Sequence, residues 1–80
     1  MAQIRVLEKK WMERFAYNLE RAMSDAGMNQ AELARKSGLP TGTISRYLAG
    51  DRSPKAYHVG RIADALGTRT DDLCGNFPHF

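Results

Sequence analysis

Two short apolar-patterned runs, "QAELARKS" and "TGTISRYLA", stand three residues apart across Gly38-Leu39-Pro40. Each covers only two to three helical turns, and an isolated helix needs roughly 12–15 residues to persist in water. If these runs are helical, tertiary packing must hold them, so the flanking chain has to supply a core. The flanks do carry the right pattern. Leu7, Trp11, Met12, Phe15, Ala16, Leu19, Ala22, Met23 and Ala26 recur at three- and four-residue steps, which predicts an amphipathic helix over 7–26. Val59, Ile62, Ala63 and Leu66 predict another over about 55–66. Glycines at 27, 38, 50 and 67 follow the periodic runs, where helices commonly stop.

The starts are marked as well. Asn29, with Gln30 at the first helical position and Glu32 at the third, has the layout of a capping box. Pro40 adjoins the start of the third helix, where a missing N–H costs nothing. Thr70, Asp71 and Asp72 read as the cap and first turn of a brief fifth helix carrying Leu73, because acidic groups suit a helix N-terminus. Strand signals are absent. The expected architecture is all-α, a compact domain of five helices. Its core is expected to hold Phe15, Leu19, Leu33, Ala34, Leu39, Ile44, Leu48, Val59, Ile62, Leu66 and Leu73.

Size and charge narrow the function. Eighty residues make one small domain. No apolar run approaches 18 residues, so no membrane span is expected. The N-terminal segment, with Glu8 and Glu13 among its basic residues, is not a signal peptide. Cys74 stands alone and the two histidines are far apart, which argues against a disulfide or a zinc site and fits a reducing cytoplasm. Residues 29–61 hold Arg35, Lys36, Arg46, Arg52, Lys55 and Arg61 against Glu32 and Asp51, a net +4, while the rest of the chain nets −1. A basic centre in a near-neutral chain points to an anionic partner, against the alternative of a merely solvated face. No nucleophile–base, paired-carboxylate or phosphate-loop spacing is present, so neither catalysis nor a cofactor is expected.

Two short helices joined by a glycine-containing turn make a helix-turn-helix over about 30–49, whose second helix presents its N-terminus to the DNA major groove. At this point the sequence resembles a known family. Gln30, Leu33-Ala34, Gly38-Leu39, Thr43-Ile44-Ser45, Tyr47, Gly50, Pro54, Ile62-Ala63 and Leu66-Gly67 match the lambda-repressor-like domains of phage repressor, Cro and Xre type. The resemblance covers residues 15–73. It implies a five-helix DNA-binding domain over 15–74, with 1–14 extending the first helix and 75–80 forming an aromatic tail. It also implies a bacterial or prophage regulator of transcription. Two departures stand out. The family often has arginine at the position of Met23 and an acidic residue at that of Leu48. A methionine and a leucine can replace such an ion pair by apolar packing at little net cost.

A helical wheel sorts the third helix without help from the family. With Ile44 at the centre of the buried face, Tyr47 and Leu48 fall within about 60° of it. Gly42, Ser45, Arg46 and Ala49 then face outward, flanked by Thr41 and Thr43. Candidate base contacts are Thr41, Gly42, Ser45 and Arg46. Arg46 has the fork that reads guanine, with a phosphate contact or plain solvation as the alternatives. For Thr41 and Thr43 the alternative is helix capping. Gln30, Thr43, Arg52, Lys55 and Arg35 are candidate backbone contacts, Gln30 by analogy with the family glutamine that braces a phosphate. Lys55 and Arg61 are expected beside phosphate or in solvent, His58 on the surface, and Cys74 packed or partly exposed. Tyr47 is expected in the core with its hydroxyl at the edge.

Outside the motif, Trp11 and Met12 are expected to cover the core, against Phe77 and Phe80, or to form a dimer contact. A DNA-touching arm from Arg5, Lys9 and Lys10 is the weaker reading, given Glu8 and Glu13. Phage repressors often carry a further C-terminal domain. None lies in these 80 residues, which read as a compact Cro-like regulator or the DNA-binding part of something longer. The function expected is a sequence-specific double-stranded DNA-binding regulator, a repressor acting as a homodimer on a pseudo-palindromic operator. The rivals are an antitoxin-type module that binds a partner protein through 1–14 or 75–80, and a protein-interaction module without DNA binding.

Overall fold

A computed structural model describes the backbone of residues 2–75 and the side chains from residue 7 onward. Five helices follow in order: α1 Ala2–Ala26, α2 Gln30–Ser37, α3 Thr41–Ala49, α4 Ala56–Leu66 and α5 Thr70–Cys74. No strand occurs among the described residues. α1 has 25 residues, which at 1.5 Å per residue make a rod of about 37 Å. The longest extent of the molecule is likewise 37 Å, so α1 sets its length and the other helices gather along it. α1 packs against α3 and α5, α2 against α3 and α4, and α4 against α5.

The core lies where these contacts meet. Phe15, Leu19, Leu33, Ile44, Ile62 and Leu73 are fully buried, with Met23, Ala34, Leu39, Tyr47, Val59 and Ala63 around them. Leu48 and Leu66 are corrections to the expected core. Both are half-buried at its rim, because each sits near the C-terminal end of its helix, where the neighbouring elements no longer cover it. Met23 is buried, and it lines a shallow groove of about 470 Å³ together with Leu48. These two positions thus both present apolar side chains to the same groove, with no charged pair among the described residues that line it. Trp11 is half-buried and packs toward the core, its ring 6.0 Å from that of Phe15, while Lys9 and Lys10 are exposed. Phe77 and Phe80, and with them residues 76–80 of the expected tail, lie outside the described residues.

Local chemistry explains the helix ends. Asn29 accepts the Glu32 N–H at 2.8 Å, and the Glu32 carboxylate accepts the Asn29 N–H at 3.2 Å, which closes the expected capping box. α1 to α4 all stop at a glycine of positive φ, and the N–H of the next residue bonds back five residues, as in Leu39 to Ala34. The start of α5 differs from expectation. Arg69, not Thr70, precedes the helix, and Asp72 makes the cap by accepting the Arg69 N–H at 3.1 Å and the Thr68 hydroxyl at 2.6 Å. Those two bonds, with the Arg69 charge, hold the Asp72 carboxyl below its ordinary pKa.

Two polar residues escaped the sequence reading. Asn18, on the half-buried side of α1, donates to the Leu73 carbonyl at 2.8 Å and so ties α1 to α5 across 55 residues. Ser37 is 1% exposed. Its hydroxyl donates to the Ala34 carbonyl and accepts the Leu39 N–H, both at 3.3 Å, so it is satisfied inside the turn it helps to shape.

Candidate nucleic-acid interface

α2 and α3 are too short to stand alone, and each buries one face. Leu33, Ala34 and Ser37 anchor α2, and Ile44 and Tyr47 anchor α3. The opposite face of α3 is exposed along Thr41, Gly42, Ser45, Arg46 and Ala49, as the wheel requires, with Thr43 half-buried at its flank. Pro40 occupies the cap position of α3 and no side chain caps this helix. Thr41 is therefore its first residue and not its cap. A Cβ added at Gly42 would meet nothing within 4 Å. The backbone there is helical and open to the outside.

One bond joins the two helices on this face. The Ser45 hydroxyl donates to Gln30 Oε1 at 2.7 Å, across 15 residues. Gln30 is the first residue of α2, so the N-terminus of α2, the positive end of its dipole, sits beside the exposed face of α3. The bond also sets polarity. It engages the carbonyl end of the Gln30 amide and leaves the NH₂ end as a two-proton donor.

Arg46 on this face, Arg35 on α2, and Arg52 and Lys55 in the segment between α3 and α4 are all exposed. Lys55 is the residue before α4, and its N–H donates to the Tyr47 hydroxyl at 3.4 Å, which fastens the end of the loop to α3. Tyr47 itself is core, 1% exposed, with its ring edge-on to Phe15 at 5.7 Å. Its hydroxyl also lies 2.6 Å from His58 Nδ1. His58 is thus a correction to the expected surface histidine. It is half-buried because the tyrosine hydroxyl at the core edge needs a polar partner, and α4 brings the imidazole there.

Arg61 is exposed, as expected, and its guanidinium is also bonded within the protein: its Nε donates to the Ser37 carbonyl at 2.5 Å and its Nη1 to the Tyr57 hydroxyl at 3.1 Å. No periodicity argument reaches a contact between a helix-four side chain and a helix-two carbonyl.

Among the described residues no group of three His, Cys, Asp or Glu side chains is placed to hold a metal ion. Cys74 is half-buried, and burial, with the Asp71 carboxylate nearby, pushes its thiol pKa up, the opposite of an activated nucleophile. No described helix is long and apolar enough to cross a membrane.

Five helices with an exposed recognition-type helix, a helix N-terminus beside it and exposed basic residues on α2, on α3 and in the segment after it have the layout of a helix-turn-helix DNA-binding protein. The helix-turn-helix family model matches residues 19–73, and the chain belongs to that family, of the Xre and lambda-repressor type. Among solved structures, a hypothetical transcription factor, NHTF from Neisseria, is similar at a TM-score of 0.77 and 27% identity, over 84% of this chain and 77% of that one. The restriction-modification controller protein C.AhdI from Aeromonas hydrophila is similar at a TM-score of 0.74, over 78% of this chain and 94% of that one. At 24% identity that second likeness speaks for the fold alone. No curated protein matches by sequence. The chain is a DNA-binding transcriptional regulator, and the family is consistent with a protein that is not an enzyme.

Proposed function

We propose that the protein represses transcription as a homodimer that sets two copies of α3 in successive major grooves of a pseudo-palindromic operator, about 34 Å apart. The observation that carries this reading is the exposed face of α3 tied to the start of α2 through Ser45 and Gln30. In this reading Thr41, Gly42, Ser45 and Arg46 lie at base edges. The Ser45 proton is committed to Gln30, so Ser45 offers lone pairs only. It accepts from the amino group of adenine or cytosine. Arg46, at the far end of the same face, reads guanine. Gly42 lacks the side chain that would hold the helix off the groove floor.

Gln30 presents its NH₂ to a phosphate at the α2 N-terminus. Thr43, Arg52, Lys55 and Arg35 complete the backbone contacts. These contacts supply much of the affinity, which therefore falls steeply with salt. Selection of bound duplexes from a random library tests the reading. A two-fold symmetric motif is expected, with guanine at one position per half-site lost in Arg46→Ala. An asymmetric motif refutes the dimer, and the absence of salt-dependent binding to any duplex refutes the function.

A further inference from the structure

We infer that Arg61 is a positioning residue for DNA recognition: with Tyr57 it latches α4 to the end of α2 and so sets the angle at which α3 is presented. The inference rests on the reading of α3 as the recognition helix. Three residues separate α2 from α3, and the first of them, Gly38, has no side chain. The turn is held from within by the Ala34 carbonyl and the Ser37 hydroxyl, and Arg61 adds a fastening from outside it.

The last carbonyls of a helix lack intrahelical partners. At the end of α2 the Ala34 carbonyl takes the Gly38 and Leu39 N–H groups. The Ser37 carbonyl is taken from outside, by Arg61 Nε at 2.5 Å, from 24 residues along the chain. A cation there also suits the negative end of the α2 dipole.

The guanidinium is itself held. Nη1 donates to the Tyr57 hydroxyl, and the guanidinium carbon lies 5.6 Å from the centre of the Tyr57 ring. Tyr57 is 67% exposed, so burial does not explain its ring. The ring leans on His58, 5.9 Å between centres, and His58 is bonded to the Tyr47 hydroxyl on α3. The contacts close a circuit around the turn, from Tyr47 through His58, Tyr57 and Arg61 to Ser37. α4 is its base, and both arms of the motif are pinned to it.

Gly38 completes the arrangement. Its φ is +74°, and a Cβ there would stand 2.7 Å from Arg61 Nη2. The positive φ accounts for the glycine as the stop of α2, and the missing side chain leaves the guanidinium close over the turn.

The test compares the 80-residue wild type with Arg61→Met, Arg61→Lys and Tyr57→Phe. Binding to a selected duplex and to a scrambled one is measured across a salt series, at a temperature where circular dichroism shows every variant folded. Amide exchange is followed at Gly38 and Leu39. Arg61→Met is expected to lose about tenfold in affinity for the selected duplex, the size of a lost charge-assisted bond. It should bind the scrambled duplex nearly as before, keep the wild-type salt slope, and exchange faster at Gly38 and Leu39. Arg61→Lys keeps one donor and should recover part of the loss, and Tyr57→Phe should lose less than Arg61→Met.

Equal loss on both duplexes, with the salt slope reduced by about one phosphate, would make Arg61 a phosphate contact and overturn the inference. Unchanged specific binding beside a lower melting temperature overturns it too, leaving Arg61 a stabilising residue only. A wild type that binds no duplex fails the functional reading instead, and unaltered exchange in Arg61→Met then sinks the latch as well.

Discussion

Replacing Tyr47 by Phe isolates one hydroxyl. The ring keeps its place edge-on to Phe15, 5.7 Å away, so hydrophobic burial is conserved. What disappears is the oxygen that meets His58 Nδ1 at 2.6 Å and accepts the Lys55 N–H at 3.4 Å. The second bond is long and Lys55 is exposed, so water replaces it at little cost. The first is short and sits on a residue 1% exposed, so its loss carries the net value of a hydrogen bond plus part of the cost of stranding the imidazole nitrogen. Together these come to about 1–2 kcal/mol. At roughly 4–8 °C per kcal/mol for a domain of this size, the melting temperature falls by about 4–16 °C. Urea unfolding of Tyr47→Phe, His58→Phe and the double variant measures the term directly as a coupling energy, expected near 1 kcal/mol. Strictly additive effects, or a Tyr47→Phe as stable as the wild type, would refute the claim that this bond ties α3 to α4.

Arg46→Ala is expected to cost about 1–3 kcal/mol on the operator and to relax preference at one base position, measured by competition with single-base operator variants; uniform loss on all sequences would reassign Arg46 to phosphate. Gly42→Ala should act in opposite directions. It stabilises the fold by up to about 1 kcal/mol, since the added methyl meets nothing, yet weakens operator binding, and unchanged binding would remove Gly42 from the interface. Asp72 is an acid whose folded pKa is lowered, so its stabilising effect is full above the ordinary value of 3.8 and fades as pH falls through the folded value. Acid titration of unfolding should therefore show a shallower acid-side loss of stability in Asp72→Asn, and an unchanged slope would show that the cap is not formed in solution.

Much of the fold is legible in the chain because its instructions are local. Apolar spacing marks the inner faces, the Asn29–Glu32 pair starts α2, and glycines stop α1 to α4 within a residue of where their periodic runs end. These signals act over three to five residues, through hydrogen bonds that close regardless of the rest of the molecule. The outward face of α3, with Thr41, Gly42, Ser45 and Arg46, follows from the same geometry, because burying Ile44 and Tyr47 leaves no other face for solvent.

Rim positions are less legible. Leu48 and Leu66 have the right period for the core, but how far a core extends along a helix depends on its neighbours. Polar side chains are the least legible of all. Asn18, Ser37, His58 and Arg61 carry no period, and in sequence they look like solvated residues. Each found its role in a bond the tertiary structure or the turn offered it: Asn18 and Arg61 with the Leu73 and Ser37 carbonyls, His58 with the Tyr47 hydroxyl, and Ser37 with the Leu39 N–H, which also bonds the Ala34 carbonyl. The sequence by itself therefore determined where α1 to α4 end, where α2 begins, which faces the helices bury, and which side of α3 looks outward. Only the tertiary structure decided how α2, α3 and α4 are fastened to one another. Packing brings Arg61 to Ser37 and His58 to Tyr47, and a hydrogen bond between residues far apart in the chain exists only after the helices that carry them have docked.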